Sequence, residues 1–521
     1  MTTSAHVAPA AAPRHPRLAV VNDLAGTVEG VGLPLELPGT NDLRALRERV
    51  LTQIRMRLLP RLKEEEAPAV VVFGGSTGVG KSTLVNSLLQ ADVTEAGVLR
   101  PTTRTPVAAV HPEDVPLMTG RPVTEVADVA TSEAVPTGLA LLDAPDLNSV
   151  DARNRSLAGQ LLEAADLWVF VTTASRYGDA LPWRLLSEAH ERGLTTAVVL
   201  NRVPGNVLAA VRRDLLQRLD SLGLGSAPLF VVPDAGPREA RLEPASVAEL
   251  AAWLRLVAGR HGAAGVVRRT DRGVWAGLRD QVLALADAAD AQTEAAATLR
   301  ELAERAADAP AAAVREAVTE GRAGSGAPTT RWLALASSGA PLAPLVRGRR
   351  IGRGFRGRAL AARDAAAAGL ADETAAALRL VIADALRRTS AGVRDAWSAA
   401  VDLGGPALLE STPTDGAEAA ADVVAAWREA VRERVPDGGT ALGRDGLAAL
   451  VQTGAAGVAG AADAAERLAP GTVAPVREDL LARAEAAVRA AVTPYLEPLE
   501  ALPVQPGTAL RLRASELKEH A

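Results

Sequence analysis

The residues best suited to chemistry lie together in Gly74-Gly75-Ser76-Thr77-Gly78-Val79-Gly80-Lys81-Ser82-Thr83. Gly75-x4-Gly80-Lys81-Ser82 has the spacing of a phosphate-binding loop. Its glycines let successive backbone N–H groups curl around the α- and β-phosphates at a helix N-terminus. Lys81 is placed to reach the β- and γ-oxygens and the Ser82 hydroxyl to ligate magnesium. The apolar run AVVVF (69–73) leads into this segment and the helical LVNSLLQ (84–90) leads out of it, the strand–loop–helix context the motif requires. A plain Gly-rich turn needs neither flank. Gly75, Ser76, Thr77, Gly78, Val79, Gly80, Lys81, Ser82 and Thr83 are therefore the candidate phosphate-binding residues.

Three later segments belong beside it. Arg100-Pro101-Thr102-Thr103-Arg104-Thr105-Pro106 feeds an apolar run; taken alone it reads equally as a polar loop before a strand. LALLD (139–143) runs into Ala144-Pro145-Asp146, a buried strand ending in an acid that can hold magnesium through water. An aspartate capping the next helix, Asp146 or Asp151, explains the residue type as well. TAVVL (196–200) ends in Asn201-Arg202-Val203-Pro204.

In this order, the phosphate loop, Ser82-Thr83-Leu84-Val85-Asn86, the Thr102-Thr103 pair, Asp143 and Asn201-Arg202 resemble the translation-factor-related P-loop GTPases, in their Era-like and dynamin-like branches. The resemblance in motifs covers about residues 69–235. It implies GTP and Mg2+ as ligands. It further implies Ser82, Thr103 (Thr102 second) and Asp143 around the metal, and Asn201 with Arg202 at the base. Three positions depart from the family. Asp146 stands where a glycine offers its N–H to the γ-phosphate, and a carboxylate there repels a triphosphate unless it turns outward or faces the metal. Pro204 stands where an aspartate reads guanine, and proline accepts no N–H. Gly78 stands where Asn or Ser helps bind a monovalent cation. Slow hydrolysis is expected, with no catalytic residue assignable beyond the phosphate and magnesium cradle. Asp234, after the last apolar run, lies near the family's fifth base-contacting loop. An ABC-type ATPase is disfavoured: there is no LSGGQ-like signature, and Ala144 follows Asp143 where such an enzyme needs glutamate.

These residues need a scaffold, and the apolar pattern supplies one. AVVVF (69–73), PVAAV (106–110), LALLD (139–143), LWVFV (167–171), TAVVL (196–200) and PLFVV (228–232) are apolar throughout and separated by helix-length connections, the mark of a mostly parallel sheet covered on both faces. The fold expected is α/β: a doubly wound P-loop GTPase domain, followed by a long all-α bundle or stalk. Leu43, Leu46, Val50, Ile54 and Leu58 recur at helical spacing before the sheet begins. Trp275, Leu278, Val282, Leu285, Ala289, Gln292, Ala296, Leu299 and Ala303 form a coiled-coil-like seam after it ends. The domains expected are a disordered tail over 1–40, a helix at 41–63 packing on the bundle, the GTPase domain over 67–262 and the helical domain over 263–515.

Composition narrows the function classes. In 521 residues, Lys+Arg 57 against Asp+Glu 62 leaves a net charge of -5, so no global positive field draws the chain to nucleic acid, which is disfavoured as a partner. The absence of cysteine excludes disulfides, thiolate catalysis and Cys-ligated metal. The N-terminus lacks the pattern of a signal peptide. No run has the hydropathy of a spanning helix; the nearest, Gly446 to Ala462, is built of small residues and reads as a helix packed through Ala. The exception to the charge balance is Arg347-Gly348-Arg349-Arg350-Ile351-Gly352-Arg353-Gly354-Phe355-Arg356-Gly357-Arg358, which follows an apolar stretch. Three readings stand side by side: a tip meeting anionic headgroups at about 1 kcal/mol per arginine, a loop serving structure or a protein partner, and a contact to RNA phosphates.

The layout of one helix before the GTPase domain and a helical half after it resembles a bacterial dynamin-like protein, and the high Ala, Arg and Gly usage resembles an actinobacterial chain. That resemblance implies a cytoplasmic protein, peripheral at the inner face of the cell membrane. It would couple nucleotide state to self-association, to a paralogous partner, or to membrane remodelling in division. The alternatives are a soluble Era-like regulatory or assembly GTPase binding protein or RNA, and a degenerate GTPase that only binds nucleotide.

Overall fold

A computed structural model describes residues 16–64, 67–94, 105–146, 152–191, 193–234, 241–347, 356–410, 417–437 and 441–520. They form two compact units. The first draws on Met1–Val31, Gly39–Asp290 and Gln505–Ala521, the second on Gly32–Pro38 and Ala291–Val504.

The first unit carries a seven-stranded sheet: β1 (Ala69–Gly74), β2 (Val107–Val110), β3 (Asp128–Thr131), β4 (Leu139–Asp143), β5 (Leu167–Thr173), β6 (Thr195–Val203) and β7 (Leu229–Pro233), in the order β3-β2-β4-β1-β5-β6-β7. Every neighbouring pair is parallel except β2 with β4. Alternate residues of each strand face opposite sides, so a strand covered on both faces must be apolar throughout. In β1, Val70 and Val72 enter one core cluster while Ala69, Val71 and Phe73 enter the other. β5 does the same with Trp168 and Phe170 against Leu167, Val169 and Val171. The six apolar runs correspond to all the strands but β3. That strand is half polar and lies at the sheet edge, with Asp128, Val129 and Thr131 exposed, and so gives no apolar run to find.

The tail expected over 1–40 is corrected within its described part. Pro16–Glu29 is a helix whose Val21, Leu24, Ala25 and Val28 are buried. Their spacing of three and four places them on one stripe, inside a segment whose Pro and Ala content disguises it. This stripe shares a core with Val50, Ile54 and Leu58, with Leu278 and Val282, and with Leu510 and Leu517 from the other end of the chain. The helix expected over 41–63 is interrupted by a π turn at Ile54–Leu58, where Leu59 N–H bonds back to Ile54 O. This change of register comes just before Pro60, which has no N–H to give.

The expected boundary at 262/263 falls inside the unbroken helix Arg260–Arg305, and the compact units divide within it at Asp290/Ala291. Among its described residues the second unit is helical throughout. Its core gathers Leu299, Val314, Leu378, Trp397, Trp427 and Leu480. The buried indoles find carbonyls: Trp397 Nε1 donates to Leu299 O at 2.9 Å and Trp427 Nε1 to Val476 O at 3.0 Å. Helix Arg444–Ala455 is buried from Gly446 to Ala455. At Gly454 a Cβ would lie 2.6 Å from Ala462 Cα, so close backbone approach explains the small residues of this stretch. No helix of the described residues is long and apolar enough to cross a membrane.

Candidate functional site

The C-terminal ends of β1, β4 and β6 meet at one edge of the sheet, and the candidate residues stand there. β1 ends at Gly74, and after the loop helix Lys81–Leu89 begins. The loop glycines are required by space and by backbone. A Cβ at Gly75 would lie 2.1 Å from Val171 O, and one at Gly80 would lie 2.6 Å from Asn201 Nδ2. Gly78 and Gly80 take φ of 77° and 90°, where only glycine is unstrained. Gly80 thereby turns the chain into the helix, leaving the first helical N–H groups directed at the loop's concavity.

Lys81 is buried. Its ammonium lies 3.3 Å from Gly75 O and 3.4 Å from Ser76 O, and it forms a salt bridge with Asp146. The carboxylate expected to repel a triphosphate is thus turned onto the loop's own cation. Ser76 Oγ donates to Asp179 Oδ2 at 2.7 Å, a bond with no signal in the motif because its two ends are 103 residues apart.

Asp143 ends β4, opposite Phe73 of β1 and Val107 of β2. It is fully buried, and among the described residues neither carboxylate oxygen has a hydrogen-bond partner. Burial pushes its pKa up, and the Ser82 hydroxyl, the Lys81 ammonium and the Thr94 hydroxyl pull it back without closing a hydrogen bond of full geometry. A buried carboxylate with open lone pairs and a serine hydroxyl beside it is the hard-oxygen donor set that Mg2+ takes together with water and phosphate. Ser82 and Asp143 therefore fit the metal. Thr94 was not among the residues read from the motifs. It is held by Asn86, whose Oδ1 accepts from Val93 N and Thr94 N, each at 3.0 Å, and whose Nδ2 donates to Thr94 O at 2.8 Å. Asn86, which closes Ser82-Thr83-Leu84-Val85-Asn86, is its only sequence signal. Thr103 and Thr102 lie outside the described residues, as does the stretch 348–355 of the arginine-rich segment.

At the end of β6, Asn201 Nδ2 donates to Val79 O at 2.8 Å, fastening this end of the strand to the phosphate loop. Its Oδ1 accepts from Arg202 N at 3.0 Å, and Arg202 Nη1 lies 3.4 Å from Gly78 O. Arg202 has φ of 52°, a left-handed conformation that costs a branched or long side chain about 1 kcal/mol or more. The β6–β7 register slips between Asn201 and Val203, accommodating this turn. Asn201 and Arg202 are thus joined to Gly78, Val79 and Gly80. Asp234 is exposed after β7, its N–H 3.3 Å from Val203 O.

At the opposite end of the strands stands a second charged group. Asp166, just before β5, accepts from Val70 N at 2.7 Å and pairs with Arg57 (2.9 Å) and with Arg61. Arg57 also meets Asp271 at 2.8 Å. Burial works to raise the Asp166 pKa, but Arg61, Arg57 and the Val70 N–H together hold it below the ordinary carboxylate value. Arg121 nearby is lowered to about 10, first by burial and then by Arg61.

No protein-family model matches the sequence, and no curated protein does. Among solved structures, the chain is similar to members of an oligomerised bacterial dynamin pair described as a mechanism for long-range sensing and tethering of membranes. One alignment there has 11% identity over 97% of this chain and 99% of that chain, with a TM-score of 0.33. Another has 13% identity over 56% of this chain and 61% of that one, with a TM-score of 0.29. It is similar to Aquifex aeolicus Era bound to GDP.AlF4- at 21% identity, over 32% of this chain and 51% of that chain, with a TM-score of 0.22. It is also similar to Arabidopsis thaliana Toc33 in complex with Mg2+ and GMPPNP, at 16% identity over 42% of this chain and 93% of that chain, with a TM-score of 0.27.

Proposed function

We propose that this protein is a magnesium-dependent GTPase of the dynamin-like kind, binding GTP and hydrolysing it slowly. The observation that carries the reading is the joining of three separated segments into one site. The glycine cradle ends in Lys81, Asp143 lies buried beside Ser82 with no hydrogen-bond partner among the described residues, and Asn201 is bonded to Val79 O. A ligand with phosphates at one end and a ring at the other uses all three.

In this reading the backbone N–H groups of residues 75–82 bind the phosphates, and Lys81 leaves Asp146 to reach the β- and γ-oxygens. Ser82 and Asp143 hold Mg2+, with Thr103 as the switch residue. The metal, when bound, neutralises charge developing on the phosphates. Asn201 and Arg202 orient the base. Pro204 offers guanine no acceptor, so base preference rests on Asn201, Arg202 and the loop after β7. Gly78 presents no side chain toward the phosphates, which is the ground for slow turnover. A second reading, nucleotide binding without turnover, is favoured by one observation, the ion pair that Asp146 makes with Lys81.

The helical half would couple nucleotide state to self-association, to a paralogous partner, or to an anionic membrane at the inner face of the cell. The membrane reading draws on the arginine-rich segment at 347–358 and on the exposed apolar Leu333 and Val346 in the two helices before it.

Calorimetry with GTP, GDP and ATP in magnesium, on the wild type and on Lys81→Ala, tests the nucleotide reading. Guanine preference lost in Lys81→Ala supports it, and absence of nucleotide binding by the wild type overturns it. Flotation with phosphatidylglycerol vesicles, with each nucleotide in turn, tests the membrane reading; failure to float in every case removes it.

A further inference from the structure

A cavity of about 1560 Å³ opens in the first unit at the strand-start end of the sheet, away from the phosphate loop. Its floor is made of small residues, among them Ala69 at the start of β1, Gly138 before β4, and Ala263. Its walls are positive. Arg255 comes from helix Pro244–Ala258, Arg268 and Arg272 come from successive turns of helix Arg260–Arg305, and Arg17 comes from helix Pro16–Glu29. Arg61 also lines it, but is engaged by Asp166 and by the carbonyls of Ala67 and Pro68. Of the two acids in the lining, Asp271 is taken by Arg57, which leaves Glu133 alone.

Arg255, Arg268 and Arg272 are exposed, and no described residue gives any of them a hydrogen bond or an ion pair. Three guanidinium groups without a partner among the described residues thus line one concavity, in a chain whose net charge is -5. Arg268 and Arg272 are four residues apart on one helix face, where like charges repel. Guanidinium forks match phosphate oxygens two at a time, and a concave wall strengthens each such contact by excluding water. The volume exceeds what one inorganic ion fills and suits a phosphorylated molecule of nucleotide size or larger.

We propose that this cavity is a second anion site, binding a soluble, multiply phosphorylated small molecule through Arg255, Arg268 and Arg272. It is separate from the phosphate loop: β1, six residues long, spans the roughly 20 Å between the cavity floor at Ala69 and the loop at Gly75. The inference stands whether or not the loop binds GTP.

The test is a calorimetric titration of inorganic tripolyphosphate into the full chain, Lys81→Ala, a triple variant (Arg255→Ser, Arg268→Ser, Arg272→Ser) and the four-fold combination. The proposal expects Lys81→Ala to keep a binding event that is weakened at least tenfold in the combination, with the melting temperature of the triple variant unchanged because its arginines hold no partner. Loss of all binding in Lys81→Ala overturns it, as does undiminished binding in the combination. A parallel sedimentation with phosphatidylglycerol vesicles separates the two sources of phosphate. Arginine-dependent binding to vesicles without binding of soluble tripolyphosphate also overturns the proposal, in favour of a headgroup-contacting surface.

Discussion

The Lys81 ammonium is held by the Asp146 carboxylate, 65 residues further along the chain, and both sit at the mouth of the phosphate loop. In the nucleotide reading, an internal anion occupies the cation that an incoming phosphate requires. Every binding event must then exchange one ion pair for another, which lowers affinity by whatever the first pair contributes.

Replacing Asp146 should therefore tighten binding. Asp146→Gly is expected to lower the Kd for GTP about tenfold, which corresponds to about 1.4 kcal/mol. Calorimetry on the variant in magnesium measures this directly. Unchanged affinity would show that the pair does not compete with the ligand, and weaker affinity that Asp146 aids it by holding Lys81 in position.

Asn201 is expected to matter for both stability and affinity. Asn201→Ala removes the bond to Val79 O and leaves that carbonyl unpaired in a buried setting, at a cost of about 1 to 3 kcal/mol. Guanine nucleotide binding should fall between about tenfold and a hundredfold while the circular dichroism spectrum stays that of the wild type. Equal binding by the two proteins would place the base elsewhere.

The Asp166 cluster predicts the direction of acid sensitivity. Because the native pKa of Asp166 is depressed, its contribution to stability is fully present above the unfolded value of about 3.9 and is lost as pH falls through the native one. Denaturant midpoints measured from pH 6 downward should drop below about pH 4, and Asp166→Asn should flatten that part of the curve while lowering stability at neutral pH. A variant curve parallel to wild type would exclude Asp166 as the source.

In the second unit, Gln292 exchanges two 2.8 Å hydrogen bonds with Leu35, one to its N–H and one to its carbonyl. Gln292→Leu keeps the side-chain volume but removes both bonds; the Leu35 carbonyl keeps the Leu37 N–H at 3.0 Å, so the loss falls mainly on the Leu35 N–H. A loss of about 1 to 3 kcal/mol is expected in the denaturant transition. A change below about 0.5 kcal/mol would mean that water replaces the amide.

The parts of this architecture legible in the sequence are those with a local signal. The phosphate loop, the strands buried on both faces and the seam from Trp275 to Ala303 each repeat a short rule of spacing. The helix Pro16–Glu29 is not legible there because its stripe of Val21, Leu24 and Val28 has its partners in Leu510 and Leu517, some 490 residues further along the chain. β3 was missed because an edge strand needs no apolar face. Asp146 is an anomaly in the sequence, but its pairing with Lys81 depends on where the chain after β4 carries it, which no residue type encodes. Asp179 reaches the site through one hydrogen bond from Ser76, 103 residues away, and its identity alone gives no hint of it; Thr94 is fixed locally by Asn86, eight residues before it.

The core shared by Pro16–Glu29 and Thr508–His520 also bears on the order in which the protein matures. Val21, Leu24 and Leu278 cannot finish their cluster until Leu510, Ala514 and Leu517 have been synthesised. The unit that begins first on the ribosome is thus completed last, after the whole of the second unit has emerged. Until then a strip of apolar side chains beside the sheet stays uncovered, a natural point of engagement for a chaperone during translation.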